Sequence, residues 1–180
     1  IATTVEIARE MVTTAAAKRI PLGVVSQHRF DDSSQFVHRA IRDGRLGRLL
    51  ECDAYVKWYR SPEYYARPVK GSWKGEGGGA LINQGIHQID ILRWMVGPVR
   101  DVYAMWQLGA LHRIESEDIV NALVRFANGA TGVIQAATAF SPGYTERVEI
   151  HGTKGTAIIS GDKLTTWDVN DDQGAAPPLA

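Results

Sequence analysis

The chain has 180 residues, 44% of them hydrophobic and 22% charged, enough for one substantial core or one core and part of another. Twenty basic residues against twenty acidic ones give a formal charge of zero, so no whole-chain field is available to hold nucleic acid or an anionic membrane, and a small, neutral or locally matched ligand is expected. The single cysteine, Cys52, cannot form an internal disulfide, and no apolar run approaches the roughly 18–20 residues of a membrane span. The opening residues lack the basic and apolar blocks of a signal peptide, so a soluble, cytoplasmic protein with Cys52 packed in a strand is expected.

Residues 3–18 carry Val5, Ala8, Val12, Ala15 and Ala16 at helical spacing, with Thr3 and Glu6 as a capping-box pair. Pro21 and Gly23 then admit a short apolar strand over 22–26, so the chain opens as helix and strand, half of a crossover unit. A second helix runs from Asp32 or Ser33 through Arg42 and stops at Gly44. A strand follows at 49–59, a Pro- and Gly-bearing loop at 60–77, and then a helix closed by Gly97-Pro98. From 99 onward the pattern is β, with strands at 99–109, 118–127, 130–140, 145–151 and 156–168. Asn128-Gly129 makes the hairpin turn between the second and third, and Gly152-Thr153-Lys154-Gly155 reads as another turn between strands. Residues 171–180, without periodicity, read as a loose tail.

The helix after residue 80 is the most informative stretch. At about 100° per residue it places Asn83, His87, Asp90 and Trp94 on one stripe. Leu81, Ile82, Ile86, Ile89, Ile91, Leu92, Met95 and Val96 lie on both sides, which predicts a buried helix. A polar stripe there must be hydrogen-bonded or line a cavity, because an unpaired buried amide or imidazole costs about 1–3 kcal/mol. His87 is therefore either a satisfied core histidine partnered by Asp90, or a proton carrier held near neutral pKa by its neighbours. Metal binding fits poorly, since Asn is a weak ligand and no second His or Cys lies at ligand spacing. The run Gly75-Glu76-Gly77-Gly78-Gly79 reads as a phosphate cradle or, equally well, as a close backbone approach to a ligand or a tight helix entry. Trp58, Tyr59, Arg60, Tyr64, Tyr65, Trp73 and Lys74 form either a sugar- or nicotinamide-contacting loop or an aromatic packing loop. Gln27-His28-Arg29-Phe30 follows the first strand, where open α/β sheets place ligands.

Together these residues resemble the glucose-fructose oxidoreductase, inositol dehydrogenase and rhizopine-catabolism (Gfo/Idh/MocA) family of NAD(P)-dependent oxidoreductases. Ile1 to Glu6 looks like the segment after the family's Glu-Lys-Pro motif, and Ser26 to Phe30 like its Asn-x-Arg-Phe/Tyr strand exit. Trp58 to Tyr65, Trp73-Lys74 and Gly77 to Asp90 resemble the substrate-domain motifs in order, and Glu146 to Ser160 the late strand pair. The resemblance implies an α+β fold: an open mixed, largely antiparallel β-sheet with helices on one face, preceded by the last helix and strand of a Rossmann domain. Residues 1–28 would be that remnant, and 29–170 the substrate and oligomerisation domain. The glycine fingerprint, the Glu-Lys-Pro lysine and the family's terminal helix are missing from this sequence, so the chain is expected to be a fragment, folded but inactive and binding NAD or NADP no tighter than about millimolar.

The same resemblance implies oxidation of a sugar or polyol hydroxyl with His87 as the acid/base. The family usually carries Asp four residues earlier, where Asn83 stands here. An amide cannot exchange protons, so Asn83 is expected to position a hydroxyl or the histidine. Lys74, Tyr59 and Arg29 are weaker substrate or cofactor contacts, and Asp90 is structural. This reading predicts that Asn83 and His87 face a polar pocket beside Tyr59 and Lys74, opening toward residues 26–30. The alternative, a non-catalytic sheet module mediating assembly, predicts a packed stripe with no cavity at His87. On either reading, Val102, Trp106, Leu123, Val133 and their neighbours supply more apolar residues than one covered sheet face needs, so the second face is expected to pair with another subunit in a homo-oligomer.

Overall fold

The computed structural model describes residues 2–170 and Gly174; the tail expected at 171–180 otherwise lies outside the described residues. Helix α1 (Val5–Ala17) forms as expected, but its cap is Thr4, whose hydroxyl accepts the Ile7 N–H, rather than Thr3. None of its residues is buried. The strand expected at 22–26 does not form: these residues pair with no neighbour, and Val25 is 74% exposed. A strand is defined by partners, and local β-propensity cannot supply them. A 3₁₀ turn (Gln27–Phe30) leads into α2 (Asp32–Arg42), whose Phe36, Val37 and Ala40 are buried.

Strand β1 (Leu49–Lys57) is followed by a loop that contains two short helices, α3 (Pro62–Tyr65) and α4 (Trp73–Glu76). A π turn (Leu81–Gly85) runs directly into α5 (Ile86–Val96). The β half comprises β2 (Val99–Leu108), β3 (Glu117–Phe126), β4 (Thr131–Ala137), β5 (Arg147–Gly152), β6 (Gly155–Ser160) and β7 (Lys163–Val169). The stretch expected as one strand over 156–168 is two, because Gly161-Asp162 turns the chain back on itself. Asn128-Gly129 makes its hairpin turn, with the Asn128 side chain accepting the Ala130 N–H.

The seven strands form one sheet in the order β2-β3-β4-β1-β5-β6-β7. Only β1 and β4 run parallel; every other neighbouring pair is antiparallel. Alternation along the strands sends Cys52, Ala54, Val124, Phe126, Ile134, Val148 and Ile150 to one face, where they pack against Phe36, Val37, Ile91, Leu92 and Met95 of α2 and α5. Burial pushes the Cys52 thiol up to about 12, so it packs as a small apolar group. Among the described residues no helix packs on the opposite face. Among the described residues no helix is long and apolar enough to cross a membrane.

Candidate active site

The glycine run lets the chain approach the sheet. A Cβ on Gly79 would lie 1.9 Å from the Glu117 carbonyl oxygen, so no other residue fits without moving the strand. The buried Glu117 carboxylate then accepts the N–H groups of Gly79 (3.0 Å) and Leu81 (3.1 Å), satisfying donors that the incipient helix leaves open. The run thus makes a tight helix entry against β3, with the Glu117 carboxylate on the N–H groups at the helix start.

The π turn carries Asn83 and hands over to α5 at Ile86, one residue before His87. Such turns widen the helix and re-aim side chains, and they are frequent at functional sites. The buried face is Gln84, Gln88, Ile91, Leu92, Met95 and Val96, against the sheet and α2. The helix is therefore not buried all round as its composition suggested: Ile82 and Ile86 are exposed on the side that faces α1 and residues 22–27. There a cleft of about 820 Å³ opens, with Asn83, His87 and Asp90 on its floor and Ser26 and Gln27 on its rim. Its walls are more apolar than expected, because Met11, Val24, Val25, Ile82 and Ile86 all line it.

His87 is half-buried and makes no hydrogen bond among the described residues; its nearest ring neighbour is His28, edge-on at 5.5 Å. Burial, and then the nearby His28, hold the His87 imidazole below the ordinary histidine value despite the opposing pull of Asp90 and Glu146. The ring is thus neutral at physiological pH and free to accept a proton. Asp90 is engaged elsewhere: Arg29 grips it through Nε (2.7 Å) and Nη2 (2.6 Å), tying the 3₁₀ turn to α5. Burial alone would raise the Asp90 carboxyl, but Arg29 and Ser26 outweigh it and hold it below the carboxylate range.

Of the other residues singled out from the sequence, Arg29 is committed to Asp90, while Tyr59 and Lys74 do not line the cleft. The aromatic loop serves packing and cation contacts, with the Arg67 guanidinium 4.3 Å from the Tyr64 ring centroid and Gln84 Nε2 donating to the Tyr64 hydroxyl at 3.0 Å. Glu76, which sequence reasoning did not single out, borders the cleft and accepts hydrogen bonds from Lys70 Nζ, the Gly71 N–H and Asn83 Nδ2. It stands as a lone acid among glycines, and that contrast is the signal it left. A metal-compatible trio, Asp53, Glu149 and His151, lies on the open sheet face with donor atoms within 4.8 Å of one another. Val133 N–H, Tyr55, Arg147 and Thr156 already engage those donors.

An open mixed sheet with helices on one face defines an α+β domain, and it carries a cleft at His87. Residues 34–158 match the GFO/IDH/MocA C-terminal domain, and the chain belongs to that family. It is 27% identical to inositol 2-dehydrogenase of Rhizobium meliloti, over 95% of this chain and 51% of that protein. The rhizopine catabolism protein MocA of Rhizobium meliloti is also 27% identical, over 86% of this chain and 47% of the relative. Among solved structures, the WlbA dehydrogenase from Bordetella pertussis, in complex with NADH and UDP-GlcNAcA, is 35% identical with a TM-score of 0.89, covering 96% of this chain and 53% of the other. Levoglucosan dehydrogenase, in complex with NADH and levoglucosan, is 25% identical with a TM-score of 0.84, covering 96% and 50%. The chain spans about half the length of the curated relatives it matches.

Proposed function

We propose that this chain is the substrate-binding domain of a cytoplasmic oxidoreductase that oxidises a sugar or polyol hydroxyl with NAD or NADP. The observation that carries the reading is the cleft at His87: an imidazole held below the ordinary histidine value, with no hydrogen-bond partner among the described residues, beside an amide and lining a cavity of a size that suits a small ligand. A packed stripe, as a purely structural module would have, is not what the cleft resembles. His87 takes the proton of the reacting hydroxyl, and Asn83 holds the hydroxyl or its neighbour. The apolar Val24, Val25, Ile82 and Ile86 offer a wall on which a nicotinamide ring would rest. A nicotinamide, when bound, supplies the acceptor for the hydride of the carbinol carbon. Tyr59, Lys74 and Arg29 contribute at most through the shape of the surrounding loops.

The test uses the longer protein containing this chain, incubated with NAD or NADP and with myo-inositol, levoglucosan or UDP-GlcNAcA. With each substrate deuterated at its carbinol carbons, deuterium should pass from carbon to the nicotinamide as the carbonyl product forms. Absence of transfer from all three would count against the reading.

Assembly is proposed through the bare sheet face. Tyr103 (68% exposed), Met105 (65%) and Leu123 (60%) stand together on it beside Val133, an apolar patch that a second copy of this chain would cover. Sedimentation of the protein at micromolar concentration should give a dimer or larger species, with Leu123→Glu shifting it toward monomer; a strict monomer in the unsubstituted protein would remove this proposal.

A further inference from the structure

Glu76 faces the cleft from the end of α4, on the far side of the glycine run from Asn83. Its carboxylate gathers Lys70 Nζ, the Gly71 N–H at 2.7 Å and Asn83 Nδ2. An ionised carboxylate offers acceptors only, so the atom of Asn83 that meets it must be the NH2 group. That assignment is forced by chemistry and leaves Asn83 Oδ1 as the other end of the carboxamide. Among the described residues Oδ1 accepts no hydrogen bond, although the side chain lines the cleft. His87, one turn further on, is equally unpartnered.

We infer that Glu76 is the positioning residue of this site: it locks the Asn83 carboxamide with its carbonyl as a fixed acceptor, so that the cleft receives a ligand hydroxyl beside His87 and turns away a ligand carbonyl or carboxylate. The inference deepens the oxidoreductase reading and rests on it only for which hydroxyl reacts. Without the lock, an amide presents a donor or an acceptor by a half-turn that changes its shape hardly at all. With it, the Asn83 carbonyl and the lone-pair nitrogen of a neutral His87 both accept, and a hydroxyl pair on the ligand satisfies both.

Lys70 pairs with Glu76 and in turn meets the Tyr64 hydroxyl, and the Tyr65 phenol also feels the Glu76 charge, while His87 and Asp90 line the cleft with His28 beside His87. Burial alone would raise the Glu76 carboxyl, but the hydrogen bonds from Lys70, Gly71 and Asn83 hold it below the glutamate range. The lock is therefore closed at neutral pH and opens only in acid. Aspartate at position 83 would bring a second carboxylate against Glu76 and force one of the two to keep its proton.

The experiment labels asparagine side-chain amides with ¹⁵N and follows them from neutral pH down to about 3. The sequence holds only four asparagines, and Asn83→Asp assigns the signal by its loss. The Asn83 NH2 should carry one strongly downfield, slowly exchanging proton whose shift moves with a midpoint below the ordinary glutamate value. Glu76→Gln should abolish that pH dependence, while Glu76→Asp should restore it. The amides of Asn121 and Asn128, in the sheet and its hairpin, report folding; should Glu76→Gln lose them, the unsubstituted protein and Glu76→Asp decide. An Asn83 amide insensitive to pH, or one with the same midpoint in Glu76→Gln, overturns the proposal. Activity is not read, so an intact lock in a protein that transfers no hydride refutes the oxidoreductase reading alone, and a pH-silent amide in an active enzyme refutes the lock alone.

Discussion

Replacing His87 with alanine in the longer protein should lower the maximal rate of hydroxyl oxidation by roughly a hundredfold or more, the usual range for removing a positioned general base, with nicotinamide affinity little changed. Affinity should persist because the glycine turn and helix N-terminus that hold a dinucleotide in a Rossmann fold belong to that fold's first crossover unit, and nothing in this cleft replaces them. The pH profile makes the prediction sharper. A base must be deprotonated to act, and burial together with His28 holds the His87 pKa below its ordinary value of about 6.5. The rate should therefore rise with pH through a midpoint below about 6.5 and stay high above it. Replacing His28 with alanine removes the neighbour 5.5 Å from the ring that helps lower the His87 value, and should move that midpoint upward. Unchanged turnover in His87→Ala would take His87 out of the chemistry; a midpoint unmoved in His28→Ala would show that burial alone sets it.

The parts of this molecule that the sequence predicts well are those whose causes are local. Helix α2 ends where Asp43-Gly44 demands it, and Asn128-Gly129 and Gly152 to Gly155 turn their hairpins with their own backbone preferences. Asn83 and His87 reach one cleft because helical spacing put them on one stripe, and that spacing survives the π turn. What failed depends on residues distant in sequence. A strand at 22–26 needs neighbours that the described chain does not place beside it. The exposed Ile82 and Ile86 look like core in sequence because an apolar cleft wall and an apolar core have the same composition. The groups that build the site's support bond across gaps with no period: Glu117 caps an N–H 38 residues away, and His112 bonds to the Arg60 carbonyl 52 residues away.

That last network gives the largest stability effect expected in the molecule. Asp118, at the start of β3, is fully buried, and its carboxylate accepts the N–H groups of Ala110 (3.0 Å), Leu111 (2.9 Å) and His112 (3.0 Å) as well as His112 Nδ1 (3.2 Å). The other nitrogen of His112 meets the Arg60 carbonyl at 2.8 Å, and the ring packs 4.5 Å from Tyr65. One carboxylate therefore fixes the loop between β2 and β3 and, through His112, the segment that carries Tyr64 to Gln84 under the cleft. Asp118→Ala leaves three backbone donors and an imidazole without their acceptor, and should destabilise the fold by about 3–5 kcal/mol, a large share of the roughly 5–15 kcal/mol that holds a domain together. Asp118→Asn keeps the shape and one acceptor oxygen, so its loss should be smaller, about 1–3 kcal/mol. Acid should mimic the substitution. Burial alone would raise the Asp118 carboxyl, but the three N–H groups and His112 outweigh it and depress it, so its contribution is complete above the unfolded aspartate value of about 3.9 and is lost as pH falls through the lower folded value. Denaturant midpoints for the three proteins, taken at neutral pH and in acid, test both statements. The unsubstituted protein should lose stability on acidification more steeply than Asp118→Ala, and an alanine variant within about 0.5 kcal/mol of it at neutral pH would mean that this buried carboxylate holds nothing together.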